Sequence, residues 1–162
     1  WGRFRELSRT GSDRRNPVFV AMWFGSQVRK GEAEHVARMQ SLYEAAISPG
    51  VRAAGFRVKK ADTEEHNDYI MDRIRADIRQ APFVVADLSG QNLGVYYEAG
   101  LAAGLGIPVI PCCPDEQDRR VHFDVAQVNQ IRYSTLEELT SRLTNRILGS
   151  IGRGPYKEDG TE

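Results

Sequence analysis

Apolar runs alternate with amphipathic stretches along this chain, and the alternation predicts a strand–helix repeat. Pro17-Val18-Phe19-Val20-Ala21-Met22 is apolar without interruption, the pattern of a first strand buried on both faces. Val36, Met39, Tyr43 and Ile47 recur at helical spacing and predict a helix over about 33–47, stopped by Pro49-Gly50. Val51 to Ala54 adds a short turn, and Phe56 to Ala61 alternates like a second, less buried strand. Ile70, Ile74, Ile78 and Ala81 predict a helix over about 67–80. A third strand over 83–87, a helix over about 94–104 and a fourth strand over Pro108–Pro111 follow. Gln130 to Tyr133 reads as a last short strand, and Leu136, Leu139, Leu143 and Ile147 mark the closing helix.

This order implies an α/β domain with a mostly parallel sheet and helices on both faces. Right-handed crossovers restrict the topology, and a flavodoxin-like open five-stranded sheet, order 2-1-3-4-5, is the expectation. Ligands of such sheets bind at the carboxyl edge, where the strand order reverses. Here that point lies between the first and third strands. Met22-Trp23-Phe24-Gly25 would meet the loop Asp87 to Asn92 there. Residues 1–16, with Arg3, Arg5, Arg9, Arg14 and Arg15, read as a linker or a phosphate-contacting arm. Residues 17–150 form the domain, 114–121 a charged loop, and 151–162 a flexible tail.

Composition narrows the function classes. The chain has 162 residues, enough for one domain with a full core. Twenty-two basic and 22 acidic residues balance, so no global charge draws the chain to nucleic acid or an anionic membrane. No apolar run approaches a membrane span and no secretory signal is visible. The first residue is Trp1 rather than Met, which suggests a piece excised from a longer protein. The two cysteines, Cys112 and Cys113, are adjacent and make no disulfide framework, so a cytoplasmic setting and a place at a buried strand end are expected. His35, His66 and His122 are dispersed without metal-ligand spacing, so neither a metal nor a cofactor is expected.

The candidate chemistry sits in Ala86-Asp87-Leu88-Ser89-Gly90-Gln91-Asn92-Leu93-Gly94-Val95-Tyr96-Tyr97-Glu98-Ala99-Gly100. A strand ends, a polar turn follows and a helix begins, so backbone N–H groups favour an anion. Glu98 lies among small and aromatic neighbours. It reads either as a nucleophile or cation stabiliser, or as a partner of the positive helix end. Asp87 ends the third strand and is an acid for the cleft or a cap for the turn. Asp72 is a further acid or a solvated helix residue, and Asp68 an acid or a helix cap. Trp23 is able to stack on a base, to fill the pocket or to pack against a partner. His122-Phe123-Asp124 is the far wall of the pocket or ordinary core and surface.

Val18 to Phe24, Ile70-Met71-Asp72-Arg73-Ile74, and above all Asn92 to Gly100 followed by Gly104-Leu105-Gly106-Ile107-Pro108-Val109-Ile110, resemble the nucleoside 2-deoxyribosyltransferase superfamily. That superfamily includes deoxynucleoside monophosphate N-glycosidases and is related to TIR-type NAD-cleaving domains. The resemblance spans about 17–148. It implies cleavage or transfer at the N-glycosidic bond of a nucleotide, a nucleoside monophosphate or an NAD-like molecule. Glu98 would be the catalytic carboxylate at C1′, with Asp87 and Asp72 as acids or orienters. Met22, Trp23, Phe24, Gly25, Asp68, Ser89, Asn92, Gly94 and Tyr97 would bind the substrate. Free-nucleoside transferases carry an acid at the position of Asn92, and the neutral amide here favours a phosphorylated ligand. Met22-Trp23-Phe24 is bulkier than the small turn many of these enzymes show. The alternative is therefore a catalytically idle nucleotide-sensing domain of a larger defence or signalling protein. The resemblance also implies a homodimer or higher homo-oligomer, with a neighbouring subunit completing the pocket.

Overall fold

In the computed structural model, residues 13–23, 33–60, 70–115 and 128–157 are described. Their strands are β1 (Val18–Ala21), β2 (Val58–Lys60), β3 (Val84–Asp87), β4 (Val109–Pro114) and β5 (Ile131–Tyr133). All pair in parallel, in the order β2-β1-β3-β4-β5, the flavodoxin-like order the sequence predicts. The helices are α1 (Ala33–Leu42), α2 (Ser48–Ala53), α3 (Ile70–Gln80), α4 (Leu93–Gly104) and α5 (Leu136–Ser150).

Successive strand residues face opposite sides of the sheet, so each strand feeds two cores. Val18, Val20, Val85, Ile110, Cys112 and Ile131 pack with Met39, Ile47, Leu139, Leu143 and Ile147 beneath α1, α2 and α5. Phe19, Ala21, Val84, Ala86 and Cys113 pack with Ile78, Val95 and Ala102 beneath α3 and α4. Burial on both faces explains why the strands read as continuous apolar runs.

Three expectations are corrected. The helix over 33–47 does not stop at Pro49-Gly50. It passes through a π-helical turn, Tyr43–Ile47, into α2, with Pro49 as the second residue of α2. The Thr140 hydroxyl of α5 approaches the Ala46 and Ala45 carbonyls at 3.3 and 3.5 Å. Gly50 lets the two helices meet: a Cβ there would stand 3.0 Å from the Thr140 carbonyl oxygen. The stop comes at Gly55, where φ is +87°.

Strand β4 also runs past Pro111 to Pro114. Pro111 precedes Cys112, the first residue to pair with β5, so β4 is still an edge on that side where its N–H is missing.

Finally, the stretch up to 157 is docked rather than frayed. Gly154 and Tyr156 donate to the Ala54 and Gly55 carbonyls at 2.8 and 3.0 Å, and Tyr156 is buried. Part of the arginine-rich segment packs there too: Arg14 donates to the Arg153 carbonyl at 2.8 Å.

Candidate active site

The carboxyl ends of β1 and β3 converge on one edge of the sheet. β3 ends in Asp87, which is 1% exposed. The Ser89 hydroxyl donates to Asp87 Oδ2 at 2.5 Å, and the Ser89 N–H donates to Oδ1 at 3.1 Å. Burial pushes the Asp87 carboxyl up to about 6, against the opposing pull of these two bonds and of Arg38. Both oxygens are thus occupied inside the turn, the geometry of a cap rather than of an acid open to the cleft. Ser89 is itself buried.

The chain then turns through two left-handed residues, Gly90 at φ 75° and Gln91 at φ 53°. Glycine takes that conformation without cost, whereas Gln91 takes it against the usual preference. Asn92 follows as the N-cap of α4. Its Oδ1 accepts from the Gly94 and Val95 N–H groups at 2.8 and 3.3 Å. A Cβ on Gly94 would lie 2.9 Å from that oxygen, so Gly94 makes room for the cap. Two of the N–H groups expected to attract an anion are therefore already satisfied by Asn92.

Glu98 stands in the second turn of α4. It is half-buried, and no hydrogen bond or ion pair reaches it among the described residues. Burial pushes its carboxyl up to about 7. A carboxylate that is partly desolvated and uncompensated is poised between its two protonation states near neutral pH.

Tyr97, beside it, is exposed, and its hydroxyl accepts from Arg75 Nε and Nη2, both at 3.2 Å. Arg75 Nη1 donates to Asp72 Oδ1 at 3.2 Å. The structure thus brings Asp72 and Tyr97 together through Arg75, across α3 and α4. Asp72 itself points into solvent, with 71% of its side chain exposed. Sequence reasoning passed over Arg75, although its spacing of three from Asp72 on a helix was the available signal.

At the end of β1, Met22 is buried in the core beneath α1. Trp23 is half-buried, packs against the core beneath α3 and α4, and contacts the His35 ring of α1 with centroids 4.4 Å apart. Phe24, Gly25, Asp68, His66 and His122-Phe123-Asp124 lie outside the described residues, as does the 114–121 loop beyond Asp115.

Cys112 and Cys113 are free and buried at the strand end. Burial pushes the Cys113 thiol up to about 11 and raises Cys112 as well, so both stay protonated at neutral pH. Among the described residues, no three His, Cys, Asp or Glu side chains group to hold a metal. Among the same residues no helix is long and apolar enough to cross a membrane.

The family model described as nucleoside 2-deoxyribosyltransferase matches residues 21–136, more than half of the chain. No curated protein matches the chain significantly.

Proposed function

The chain belongs to the nucleoside 2-deoxyribosyltransferase family, whose chemistry is glycosyl transfer at the nucleoside N-glycosidic bond, and from that membership we propose a nucleotide substrate and Glu98 as the reacting carboxylate. The observation that carries this reading is the uncompensated, half-buried Glu98 above the carboxyl edge. The C1′–N bond breaks with its electron pair going to the base nitrogen, which takes up a proton. The Glu98 carboxylate forms a bond to C1′ or balances its positive charge. Water or a second base then takes C1′ and frees the carboxylate. Asp87 positions the turn that starts α4, and Asn92 leaves the site neutral where an acid would repel a phosphate. A nucleoside monophosphate or an NAD-like molecule fits this chemistry.

We place the working unit as a homodimer or higher homo-oligomer. Leu93 is 83% exposed and Tyr97 is exposed on the helix that carries Glu98, and Leu105, just past its end, is exposed as well. Leu93 and Tyr97, four residues apart, share a face that a second copy would cover. We also propose a cytoplasmic location, a reading that the two buried free cysteines support. The alternative, a catalytically idle nucleotide sensor, draws on Trp23, whose ring fills space at the end of β1.

The deciding experiment incubates the protein with deoxynucleoside monophosphates, deoxynucleosides and NAD and separates free base by chromatography. Base release supports the enzyme. Nucleotide binding without release from any of them supports the sensor. Light scattering over a concentration series tests the assembly, and a strictly monomeric mass with full activity overturns it.

A further inference from the structure

The two outer strands of an open sheet carry backbone N–H and C=O groups that another strand can join. Among the described residues those strands are β2 and β5, each three residues long. β2, Val58-Lys59-Lys60, has two lysines of its own, and short length and lysines are both means of closing an edge. β5, Ile131-Arg132-Tyr133, buries Ile131 and Tyr133 and has one charge of its own, Arg132. Further charges reach it from α5.

The outward side of β5 follows from the ladder. The Cys112 carbonyl of β4 accepts from the Leu88 N–H at 2.9 Å, so Cys112 faces β3. Strand residues alternate, so Cys113 faces β5, where Arg132 stands opposite it. In a parallel pair a residue bonds the two neighbours of the one opposite, here Ile131 and Tyr133. The backbone of Arg132 therefore points away from the sheet. Arg142 and Arg146, one turn apart on α5, reach round to this side. Arg142 Nη1 donates to the Arg132 carbonyl and to Glu138 Oε1, the latter at 3.1 Å. Arg146 Nη1 donates to the Asn129 carbonyl at 2.9 Å, and its Nη2 donates to Asn129 Oδ1 at 3.1 Å.

We propose that Arg142 and Arg146 keep the β5 edge closed to strand addition, and that the partner they exclude is a second copy of this chain. A joining strand needs the Arg132 carbonyl as an acceptor, and the Arg142 guanidinium already holds it. A second copy presents the same edge, so β5 would meet β5 about a two-fold axis. That meeting would bring both pairs of guanidiniums together and strip them of water, and buried like charges without partners are costly. The two arginines thus turn self-association away from the sheet edge and leave it to other faces of the molecule. This inference stands whether or not the carboxyl edge is a glycosidic site.

The test compares the full chain with three double variants: Arg142→Ala with Arg146→Ala, Arg142→Gln with Arg146→Gln, and Arg142→Lys with Arg146→Lys. Light scattering over a concentration series gives the mass, and amide hydrogen exchange at Arg132 reports on the edge. The alanine and glutamine pairs should reach at least double the parent's mass as concentration rises, and exchange at the Arg132 N–H should slow as they do. The lysine pair keeps two charges beside the edge and should hold the parent's mass. Melting temperatures near that of the parent establish folding, and the glutamine pair, which keeps most of the side-chain stem, carries the test should the alanine pair unfold. The parent's mass in the glutamine pair overturns the proposal. So does association with Arg132 exchange unchanged, which would put the contact on another face, and so does a lysine pair that associates like the alanine pair.

Discussion

Two carboxylates eleven residues apart in sequence show how one strand–turn–helix segment divides its work. Asp87 is enclosed, and Ser89 satisfies both of its oxygens. Glu98 is half open and nothing satisfies it among the described residues. Burial raises both, to about 6 and about 7. The difference lies in what opposes burial. At Asp87, hydrogen bonds and Arg38 pull the other way, so the group is tied into the turn it builds. At Glu98 no group among the described residues pulls back, so there the charged form has no partner and is free to find one in a substrate. A buried acid with partners holds structure, and a half-buried acid without them is available for chemistry.

The largest effect that separates the two is on rate. Glu98→Gln should lower base release by about a thousandfold or more and leave the fold intact, as circular dichroism would show. Asp87→Ala should instead strip two buried donors of their acceptor and cost on the order of 2 kcal/mol in urea unfolding. If Asp87→Ala unfolds like the parent and Glu98→Gln does not fold, the roles are reversed.

Stability against pH sharpens the contrast. The folded Glu98 carboxyl sits above its ordinary 4.5, so the folded state holds the proton more tightly. Folding stability should therefore fall as pH rises from about 4.5 to about 7 and level off above. Glu98→Gln removes this loss, so at pH 8 the variant should exceed the parent by on the order of 1 kcal/mol, with solvent screening discounted. At pH 4 the two should match. A variant no more stable at pH 8 would mean that Glu98 is not desolvated.

The cap between the two acids gives a smaller effect. Asn92→Ala should cost about 1 kcal/mol, the usual value of an N-cap. Asn92→Asp should keep the cap and weaken nucleoside monophosphate binding severalfold while sparing the nucleoside, by like-charge repulsion. Calorimetry showing equal losses for both ligands would remove the phosphate from this corner. Smallest of all, Arg75→Met should change stability by less than about 1 kcal/mol, because the Asp72–Arg75 pair is exposed.

The fold was legible because its signals are local and repeated. Apolar runs bounded by polar turns gave β1, β3 and β4, alternation gave β2, and helical spacing gave α1, α3 and α5 to within a few residues, whereas α2 read as a stop and a turn. What escaped depended on partners distant in sequence. Pro49 is tolerated because of a π-helical turn and a threonine on α5, and Tyr156 is buried by Gly55 and Arg15, far along the chain. At the site, Glu98 and Asn92 stood out through one contiguous motif. Arg75 and His35 did not, because a lone arginine or histidine on a helix carries no sign of the tyrosine or tryptophan it will meet.

The central claim is that Glu98 acts as an ionised carboxylate at the glycosidic carbon. Its most direct test is the pH profile of base release from a deoxynucleoside monophosphate, measured for the parent and for Glu98→Gln. The account predicts that kcat/KM of the parent rises with pH through an inflection near 7, where Glu98 loses its proton, and that the variant stays about a thousandfold or more slower and shows no such inflection. Release by Glu98→Gln at the parental rate would contradict it.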